Sequence, residues 1–417
     1  MKIAHIAPPW ITIPPKNYGG TETFLYNLIE EQVAQKHDVT LLAPGDAQTS
    51  AKLVSFFPQA LLDSGGSWLA HLKAYYHIHK AIEYVKTHRF DIVHTNLSSC
   101  ADMYIFPLAA KLPIPMVTTL HSCFPFDRVQ SWTGDADRYY LEWLSKVPVV
   151  AISESACAQV PYDLNFAGVV YHGLPIDIFK PTVERPDNFL VWLGRIVPDK
   201  GVHHAISAAK AADIPLILAG TVDSDVPEVV QYFEEMIKPQ IDNEQVKYIG
   251  PVNMQQKIDL LSHARGFLNP IDWEEPFGLV MIEAMSVGCP VISFARGAAP
   301  EIVVHRKTGF LVHDVAEMVR FIPRIDKLAR KAVRAHVEQN FSVGVMAKNY
   351  ARVYKRVIVA SLPESSRSKV AIKRSSVSAP SSSLKASPAG FKTVEAVQDR
   401  SPFARDATAA TEAGPLP

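Results

Sequence analysis

Short apolar runs alternate with longer amphipathic stretches along most of the chain. A strand buried on both faces of a parallel sheet reads as a nearly continuous apolar run, whereas a helix shows apolar residues three and four positions apart. Strand-like runs in the first half begin near Lys2, Asp38, Asp91, Pro115, Val147 and Ala167. The clearest helical stretch between them is "TETFLYNLIEEQVAQK", from Thr21. This alternation predicts βαβ units and a parallel sheet.

A second alternation of the same kind follows a proline-rich stretch. Its strand-like runs begin near Phe189, Ile214, Val246, Gly266, Cys289 and Thr308, and helical patterns separate them. We therefore predict an α/β protein with two Rossmann-like, doubly wound domains, over residues 1–172 and 189–340 and joined by a linker at 173–188. Such sheets bind ligands at the carboxyl ends of their strands, so the two domains should face a common cleft.

The end of the chain differs in composition. Residues 361–417 are rich in Ser, Ala and Pro, and their only aromatic residues are Phe391 and Phe403. Such a segment buries too little apolar surface to offset the loss of conformational entropy. We predict that this tail is disordered.

Composition narrows the class of protein. Of 417 residues, 42 are basic and 42 acidic, so bulk charge favours neither nucleic acid nor an anionic membrane. The four cysteines (Cys100, Cys123, Cys157 and Cys289) lack metal-ligand spacing and are expected to be reduced, mostly buried thiols. Because the sequence shows neither a signal peptide nor a membrane span, we expect a cytoplasmic protein.

Residues 68–89 form an aromatic, basic stretch with helical periodicity. Its apolar residues Leu69, Leu72, Tyr76 and Ile82 lie near one face, which predicts a stripe facing the core. The alternative is peripheral contact with the inner face of a membrane, through lysines on the polar face. The histidines of this stretch, His71, His77 and His79, are expected to face solvent and not a metal.

The sequence "GRIVPDKG" follows the first strand of the second domain. It places Arg195 and Lys200 on either side of a turn that opens a helix. A guanidinium, an ammonium and a helix N-terminus all favour an anion such as a diphosphate. The alternative is a pair of solvated surface cations.

The sequence "EEPFGLVMIEAM" places carboxylates before and within an apolar helix. Pro276 prevents the helix from extending backwards, so the helix is expected to begin near Phe277 or Gly278, with free backbone N–H groups there. Ionised carboxylates accept hydrogen bonds from sugar hydroxyls, so Glu275 and Glu283 fit two ends of a polyol ligand. Alternatively, Glu275 only interacts favourably with the helix dipole at the N-terminus, and Glu283 forms a salt bridge to an arginine such as Arg195.

Together, these two motifs and the later "GCPVISFARGAAPEIV" and "TGFLV" resemble the retaining glycosyltransferases of family 4, which have the GT-B fold. In that family, two glutamates separated by seven residues flank the "PFG" turn, and Glu275 and Glu283 meet this spacing. The resemblance covers residues 2–354. It implies that Arg195, Lys200 and the backbone at 277–279 bind the donor's diphosphate, while Glu275 faces the transferred sugar and Glu283 the ribose.

The first domain carries further elements of the resemblance. Gly19 and Gly20 in "YGGTETF" are similar to the glycine pair whose backbone reaches the donor phosphate, and His121 to a histidine near the sugar. The helix from Phe341 resembles the one that crosses back onto the first domain, over 341–360. The residue before the linker glycine, usually Asn in the family, is His172 here. This departure is expected to change a hinge hydrogen bond.

The resemblance implies transfer of a sugar from a nucleotide-diphospho-sugar to a hydroxyl of a glycan, a lipid-linked molecule or a small molecule. It implies neither a metal nor any other cofactor. The alternatives are a GT-B nucleotide-sugar epimerase and a degenerate protein that only binds sugar nucleotides. A metal-dependent transferase would use an Asp-x-Asp motif. Asp135–Asp137 and Asp223–Asp225 match that pattern, which occurs readily by chance in a chain of this length, and Asp223–Asp225 is interpreted as a surface loop. The sugar, base and acceptor remain open.

Overall fold

The structure, a computed structural model, describes residues 1–16, 19–121 and 141–363. Its amino-terminal half contains a parallel sheet with the order β3-β2-β1-β4-β5-β6-β7. The strands are β1 (Lys2–Ile6), β2 (Asp38–Leu42), β3 (Lys52–Val54), β4 (Ile92–Asn96), β5 (Met116–Leu120), β6 (Val149–Ala151) and β7 (Phe166–Val169). The sequence predicted all of these except the short edge strand β3. The described helices of this half are α1 (Gly20–Ala34), α2 (His71–Thr87), α3 (Ile105–Ala109) and α4 (Glu154–Ala158).

The carboxyl-terminal half contains a second parallel sheet, with the order β10-β9-β8-β11-β12-β13. Its strands are β8 (Leu190–Arg195), β9 (Leu216–Thr221), β10 (Val246–Tyr248), β11 (Gly266–Asn269), β12 (Val291–Phe294) and β13 (Gly309–Val312). The helices are α5 (Val202–Ala211), α6 (Pro227–Tyr232), α7 (Met254–His263), α8 (Leu279–Ser286), α9 (Ala299–Ile302), α10 (Val315–Phe321) and α11 (Arg330–Asn340). Two helix-flanked parallel sheets confirm the predicted fold class.

Each sheet has apolar clusters packed against it. The central strands β4, β5, β11 and β12 are buried along their whole length, although β4 and β5 contain polar residues. Both sheets belong to one compact unit, Met1–Arg367. Of the cysteines, Cys289 is buried, whereas Cys100 and Cys157 are half-buried, and all three are free thiols. Cys123 lies outside the described residues, and so does the predicted disordered tail from residue 364 onwards.

The last described helix, α12 (Val343–Ala360), returns from the second half and packs against α1, β5 and β7. Two tyrosines anchor it in the first half. The Tyr350 hydroxyl hydrogen-bonds to Thr119 Oγ1 at 2.9 Å, and the Tyr354 hydroxyl lies 2.7 Å from His94 Nδ1 and 3.2 Å from Gln32 Nε2. Both tyrosines are fully buried. The end of the chain is therefore part of the amino-terminal core.

Replacing Tyr354 with phenylalanine is expected to destabilise the protein by about 1–3 kcal/mol. The change leaves His94 Nδ1 and Gln32 Nε2 buried without this partner, and an unsatisfied buried polar group costs its full desolvation energy. Urea denaturation would measure the loss. Tyr26→Phe, at a half-buried position on α1, is the matched control and should change stability by less than about 0.5 kcal/mol.

Helix α2 differs from its sequence-based prediction. Its buried face is formed by Ala74, Ile78, Ala81, Ile82 and Val85, so the predicted stripe is correct for Ile82. It is wrong for Leu69, Leu72 and Tyr76, which are exposed, because Leu69 precedes the helix and Leu72 and Tyr76 lie on the helix face opposite Ala81 and Val85. In the described residues, no helix has the length and apolarity needed to span a bilayer.

His77 was also predicted incorrectly, since it is completely buried in α2 and does not face solvent. Its Nε2 atom donates a hydrogen bond to the carbonyl oxygen of Ala7 at 2.9 Å. Burial lowers the pKa of His77 to about 4, so the ring is neutral at pH 7. The helix therefore uses this histidine to satisfy a backbone carbonyl at the end of β1.

Candidate active site

The turn after β8 holds the two predicted cations at the carboxyl edge of the second sheet. Strand β8 ends at Arg195, a single turn of 3₁₀-helix covers Pro198–Lys200, and α5 begins at Val202. Gly201 between them has φ +67°, and a Cβ atom there would lie 1.8 Å from the carbonyl oxygen of Pro270. Only glycine fits this position, because both the backbone conformation and the space exclude a side chain. The glycine thereby fixes the position of Lys200.

The two cations differ in their surroundings. Arg195 is half-buried, and in the described part of the chain its guanidinium has no hydrogen-bond or ion-pair partner. The Lys200 ammonium instead forms a short ion pair with Glu275 Oε2, and both side chains are largely buried, at 18% and 16% exposure. The structure thus brings Lys200 and Glu275 together and leaves the arginine available to an anion.

Trp273 completes the environment of Glu275. Its indole Nε1 donates to Glu275 Oε2 at 2.8 Å, and the Lys200 ammonium lies 5.1 Å from the centre of its ring. The carboxylate is therefore held by two donors, one of them charged, and the ammonium is in cation–π range of the indole. The sequence reasoning did not select Trp273, although it stands two positions before Glu275.

The "PFG" turn has the predicted form. Gly278 adopts a left-handed conformation, with φ +84°, and α8 starts at the next residue, Leu279. The first N–H groups of a helix have no intrahelical partner, so those of Leu279 and Val280 point out from the start of α8. Phe277 is buried, with 2% exposure, and its ring meets the edge of His172 at 5.0 Å between centroids.

A glycine on the loop after β12 holds this turn from behind. The N–H of Gly297 donates to Glu274 Oε2 at 2.7 Å, and the N–H of Ala298 donates to the carbonyl oxygen of Glu275 at 2.9 Å. A Cβ atom on Gly297 would lie 2.3 Å from that carbonyl oxygen. The loop after β12 therefore holds the Glu275 backbone in place, and the close approach leaves space only for glycine at position 297.

Replacing Gly297 with alanine is therefore expected to displace the Glu275 backbone and destabilise the protein by about 2–4 kcal/mol, from the steric clash together with the strained φ of +53°. Thermal denaturation would measure the change. Gly65→Ala is the matched control, because Gly65 also has a positive φ (+79°) but no atom within 4 Å of the added methyl group. Equal losses of stability in the two variants would contradict the proposed contact between Gly297 and the Glu275 backbone.

Glu283 has a buried partner that the sequence reasoning missed. On α8 its Oε1 accepts a hydrogen bond from the Lys257 ammonium of α7, and the two side chains are 12% and 16% exposed. The predicted alternative of a salt bridge is therefore correct in kind, but its suggested partner, Arg195, is wrong. Lys257 lies in a helix whose periodicity gave no sign of a site. Only the packing of α7 against α8 shows the pair.

His121 follows β5 and is oriented by a neighbouring strand. Its Nε2 lies 2.9 Å from Asn96 Oδ1 at the end of β4, and since an amide oxygen only accepts, Nε2 carries the proton. Burial lowers the pKa of His121 well below its usual value, so the ring is neutral. It stacks on His172 at 5.4 Å and meets the edge of Phe24 at 4.6 Å.

The glycine pair lies at the start of α1, on the same sheet edge as His121. Gly19 precedes the helix, and a Cβ atom there would meet Glu22 Oε2 at 2.8 Å and Pro15 Cβ at 2.9 Å. Gly20 is the first residue of the helix, and a Cβ atom added to it would have no other atom within 4 Å. Gly19 is thus required by close packing, whereas Gly20 faces open space. Tyr18 lies outside the described residues.

Hydrogen bonds join the two halves of the chain beside the "PFG" turn. Ser153, at the start of α4, donates from Oγ to the carbonyl oxygen of Pro276 at 2.6 Å. The Glu301 carboxylate accepts from the backbone N–H groups of Glu154 and Ser155 at 2.8 and 2.7 Å, which caps α4. The sequence gave Ser153 and Glu154 no role more specific than a structural or acceptor-side one. The contacts fix the turn relative to the first sheet.

The aspartates considered for a metal have a local explanation. Asp223 Oδ1 accepts the backbone N–H of Asp225 at 3.2 Å in an exposed loop after β9, which is an ordinary turn. Across the described ranges, no three His, Cys, Asp or Glu side chains converge as a group that would hold a metal. Asp135–Asp137 lies outside the described residues.

Comparison with known families agrees with this architecture. The family Glycosyltransferase Family 4 matches residues 18–177, and the family Glycosyl transferases group 1 matches residues 175–340. The two matches overlap at residues 175–177 and together contain every strand of both sheets except β1. The chain belongs to the group 1 and family 4 glycosyltransferases of the GT-B fold, and it is an enzyme of that class.

Similar proteins match this chain over their whole length. The Bacillus subtilis spore coat protein SA is 22% identical over 394 residues, covering 85% of this chain and 100% of that protein. A sucrose-phosphate synthase from Thermosynechococcus elongatus has the same fold, with a TM-score of 0.65, 20% identity, and coverage of 86% and 100%. The Anabaena HepE protein, solved in complex with UDP-glucose, gives a TM-score of 0.60 at 19% identity, covering 85% and 100%.

Proposed function

We propose that this glycosyltransferase moves a sugar from a nucleotide-diphospho-sugar to a hydroxyl acceptor, with retention of configuration and without a metal. The observation that carries the proposal is the guanidinium of Arg195, without a partner among the described residues, at the sheet edge that also carries the Lys200–Glu275 pair. The complex of HepE with UDP-glucose supports a nucleotide-sugar donor. The proposed acceptor is a hydroxyl of a glycan or of a lipid-linked molecule.

Diphosphate binding follows from the charges at this edge. Arg195 offers a fork of N–H donors to one phosphate, and the exposed N–H groups of Leu279 and Val280 with the dipole of α8 suit the distal one. Lys200 forms an ion pair with Glu275 before the donor binds. A doubly charged diphosphate competes for this ammonium, and its arrival frees the Glu275 carboxylate to accept hydrogen bonds from the sugar.

Catalysis then depends on the negative charge that develops on the departing nucleoside diphosphate. Arg195, Lys200 and the start of α8 are fixed cations and dipoles that stabilise this charge without rearranging. The acceptor hydroxyl attacks from the face that the leaving group vacates, and a phosphate oxygen takes its proton. Glu275 and Glu283 belong to the two ends of the donor, so neither is assigned the role of a nucleophile.

In this proposal His121 and the backbone at Gly19 and Gly20 approach the donor from the first half of the chain. A neutral His121 whose Nε2–H is committed to Asn96 has Nδ1 as a hydrogen-bond acceptor for a sugar hydroxyl. Contacts such as that of Ser153 with Pro276 bring this half to the turn. Closure of the cleft excludes water and limits hydrolysis of the donor.

A panel of nucleotide sugars, scored by the rise in melting temperature, tests the donor class, because a ligand that binds only the folded state stabilises it by mass action. We expect a uridine or guanosine sugar to stabilise the protein, and Arg195→Ala to abolish that shift. No stabilisation by any nucleotide sugar would contradict the proposal. Transfer that is lost in EDTA and restored by a divalent cation would contradict its metal-free part.

The role of Glu283 needs a separate variant, since removing it alone leaves the Lys257 ammonium buried without a partner. The double variant Lys257→Met/Glu283→Leu removes both charges and keeps the volume. If Glu283 binds ribose, the donor-induced shift of the unaltered protein is lost in the double variant. If the pair is only structural, the double variant binds the donor as well as the unaltered protein does.

An epimerase with the same fold is the second candidate. It would convert a nucleotide sugar without any acceptor, whereas a transferase releases the nucleoside diphosphate only when an acceptor or water takes the sugar. Chromatography of a reaction without acceptor distinguishes them. A degenerate binding protein would show the donor-induced shift with no product, and the complete set Arg195, Lys200, Glu275 and Glu283 argues against that.

A further inference from the structure

The most exposed apolar surface of the described chain lies at the start of α2 and just before it. Leu69 and Leu72 are 81% and 86% exposed, and Trp68, Tyr75 and Tyr76 are 45%, 40% and 48% exposed. We call these five residues the α2 patch. Leu72, Tyr75 and Tyr76 share one face because they are three and four positions apart. Five exposed large apolar side chains within residues 68–76 indicate an interaction surface.

The charges around the α2 patch favour an anionic partner. No Asp or Glu occurs between residues 64 and 82, whereas Lys73 and Lys80 lie on or beside the patch. Lys73 is exposed and has no ion-pair partner in the described ranges, while Lys80 pairs with Glu83 at 2.6 Å. The nearest preceding acid, Asp63, is paired with Lys16 at 3.5 Å. Leucines, a tryptophan and tyrosines beside an unpaired lysine are the composition that binds the interface of a bilayer.

The patch is held at the carboxyl edge of the first sheet. Trp68 packs on Trp10, with ring centroids 5.1 Å apart, and Trp10 lies on the loop that follows β1. Trp10 is itself held by a hydrogen bond from its Nε1 to Asp102 Oδ1 at 2.9 Å. Gly19 and Gly20 follow the same strand, and His121 follows β5, so the α2 patch and the first-half site residues share the carboxyl edge of one sheet.

We propose that the α2 patch docks this enzyme on an anionic phospholipid bilayer, with Leu69, Leu72 and Trp68 inserted at the interface and Lys73 against the headgroups. Docking places the amino-terminal side of the cleft at the membrane. Resting on the proposed transfer reaction, this geometry makes the acceptor a lipid-linked hydroxyl that is presented at the bilayer surface.

Co-sedimentation of the full-length protein with vesicles tests the docking. Vesicles of equimolar phosphatidylglycerol and phosphatidylcholine are compared with vesicles of phosphatidylcholine alone. We expect binding to the anionic vesicles, a loss of at least about tenfold in the variant Leu69→Glu/Leu72→Glu, and a loss of about fivefold or more in Lys73→Glu. Added salt should weaken binding, because the headgroup contribution is screened.

Matched controls distinguish the patch from general surface effects. Met236→Glu changes a residue that is 50% exposed in the second half, and Lys331→Glu reverses an exposed lysine on α11. Both should bind the anionic vesicles like the unaltered protein. Because all patch positions are exposed, the variants should fold, and an unchanged melting temperature checks this.

Three outcomes would overturn the proposal. They are equal binding to neutral and anionic vesicles, undiminished binding by Leu69→Glu/Leu72→Glu, and a dimer in sedimentation equilibrium that this variant dissociates while vesicles are not bound. The last outcome would assign the patch to a second copy of the chain. Vesicle binding needs neither donor nor turnover, so its failure is separate from any failure of the proposed transfer reaction.

Discussion

Arg195→Ala is expected to lower kcat/KM for sugar transfer by about 10²–10³-fold. Removing one fixed donor to a developing oxyanion has an effect of this size, and in the described chain Arg195 is not engaged in any internal ion pair that would explain it structurally. Because the lost contact strengthens as the diphosphate departs, kcat should fall along with kcat/KM. Steady-state kinetics with the donor identified by thermal shift would measure the change.

Two variants control this result. Arg195→Lys keeps the charge but loses the planar fork, so it should recover only part of the activity. Arg320→Ala removes an exposed arginine of α10 that lies against Phe321 and far along the chain from the motif, and it should leave kcat/KM within about twofold. Activity of Arg195→Ala within about threefold of the unaltered enzyme would refute the role assigned to the guanidinium.

Glu275→Gln is expected to lower kcat/KM by about 10²-fold and also to destabilise the protein by about 1–3 kcal/mol. The amide keeps the shape of the side chain but removes the charge that pairs with Lys200, a side chain with only 18% exposure. The sugar also loses a charged acceptor. Transfer kinetics and urea denaturation, performed on the same preparation, separate the two effects.

The neighbouring carboxylate provides the control. Glu274 is exposed, and its Oε2 accepts the N–H of Gly297, a contact that a glutamine oxygen can keep. Glu274→Gln should therefore change kcat/KM by less than about threefold. If Glu274→Gln lost as much activity as Glu275→Gln, the assignment of Glu275 from the spacing of the motif would be wrong. If Glu275→Gln lost stability and kept its activity, the pair with Lys200 would be purely structural.

The two motifs of the second domain show which features of a site the local sequence predicts and which it does not. A proline followed by Phe-Gly predicted where α8 begins, because proline and glycine restrict the backbone within a few residues. The partner of Glu283 depended instead on the packing of α7 against α8, and Lys257 is 26 positions away. Patterns along the chain indicate that a buried carboxylate needs a partner, but they do not indicate which residue supplies it.

Helix α2 shows the opposite case, in which the local pattern predicted burial for residues that the structure exposes. Periodicity predicted the helix and its buried residue Ile82, but the stripe was extended to Leu69 and Leu72, which are the most exposed apolar side chains of the described residues. Hydrophobic periodicity reports an amphipathic helix. It does not report which face of that helix the core covers, since this depends on the elements that pack against it.

The sequence alone determined the two parallel sheets, the start of α8 and the family, because strand runs, turn residues and motif spacing are local properties of the chain. The tertiary structure decided which charges meet. It paired Lys200 with Glu275 and Lys257 with Glu283, left Arg195 unpaired among the described residues, and turned Leu69 and Leu72 outwards. The physical reason is that electrostatic pairing and burial depend on distances between elements far apart in sequence, and those distances exist only once the sheets and helices have packed.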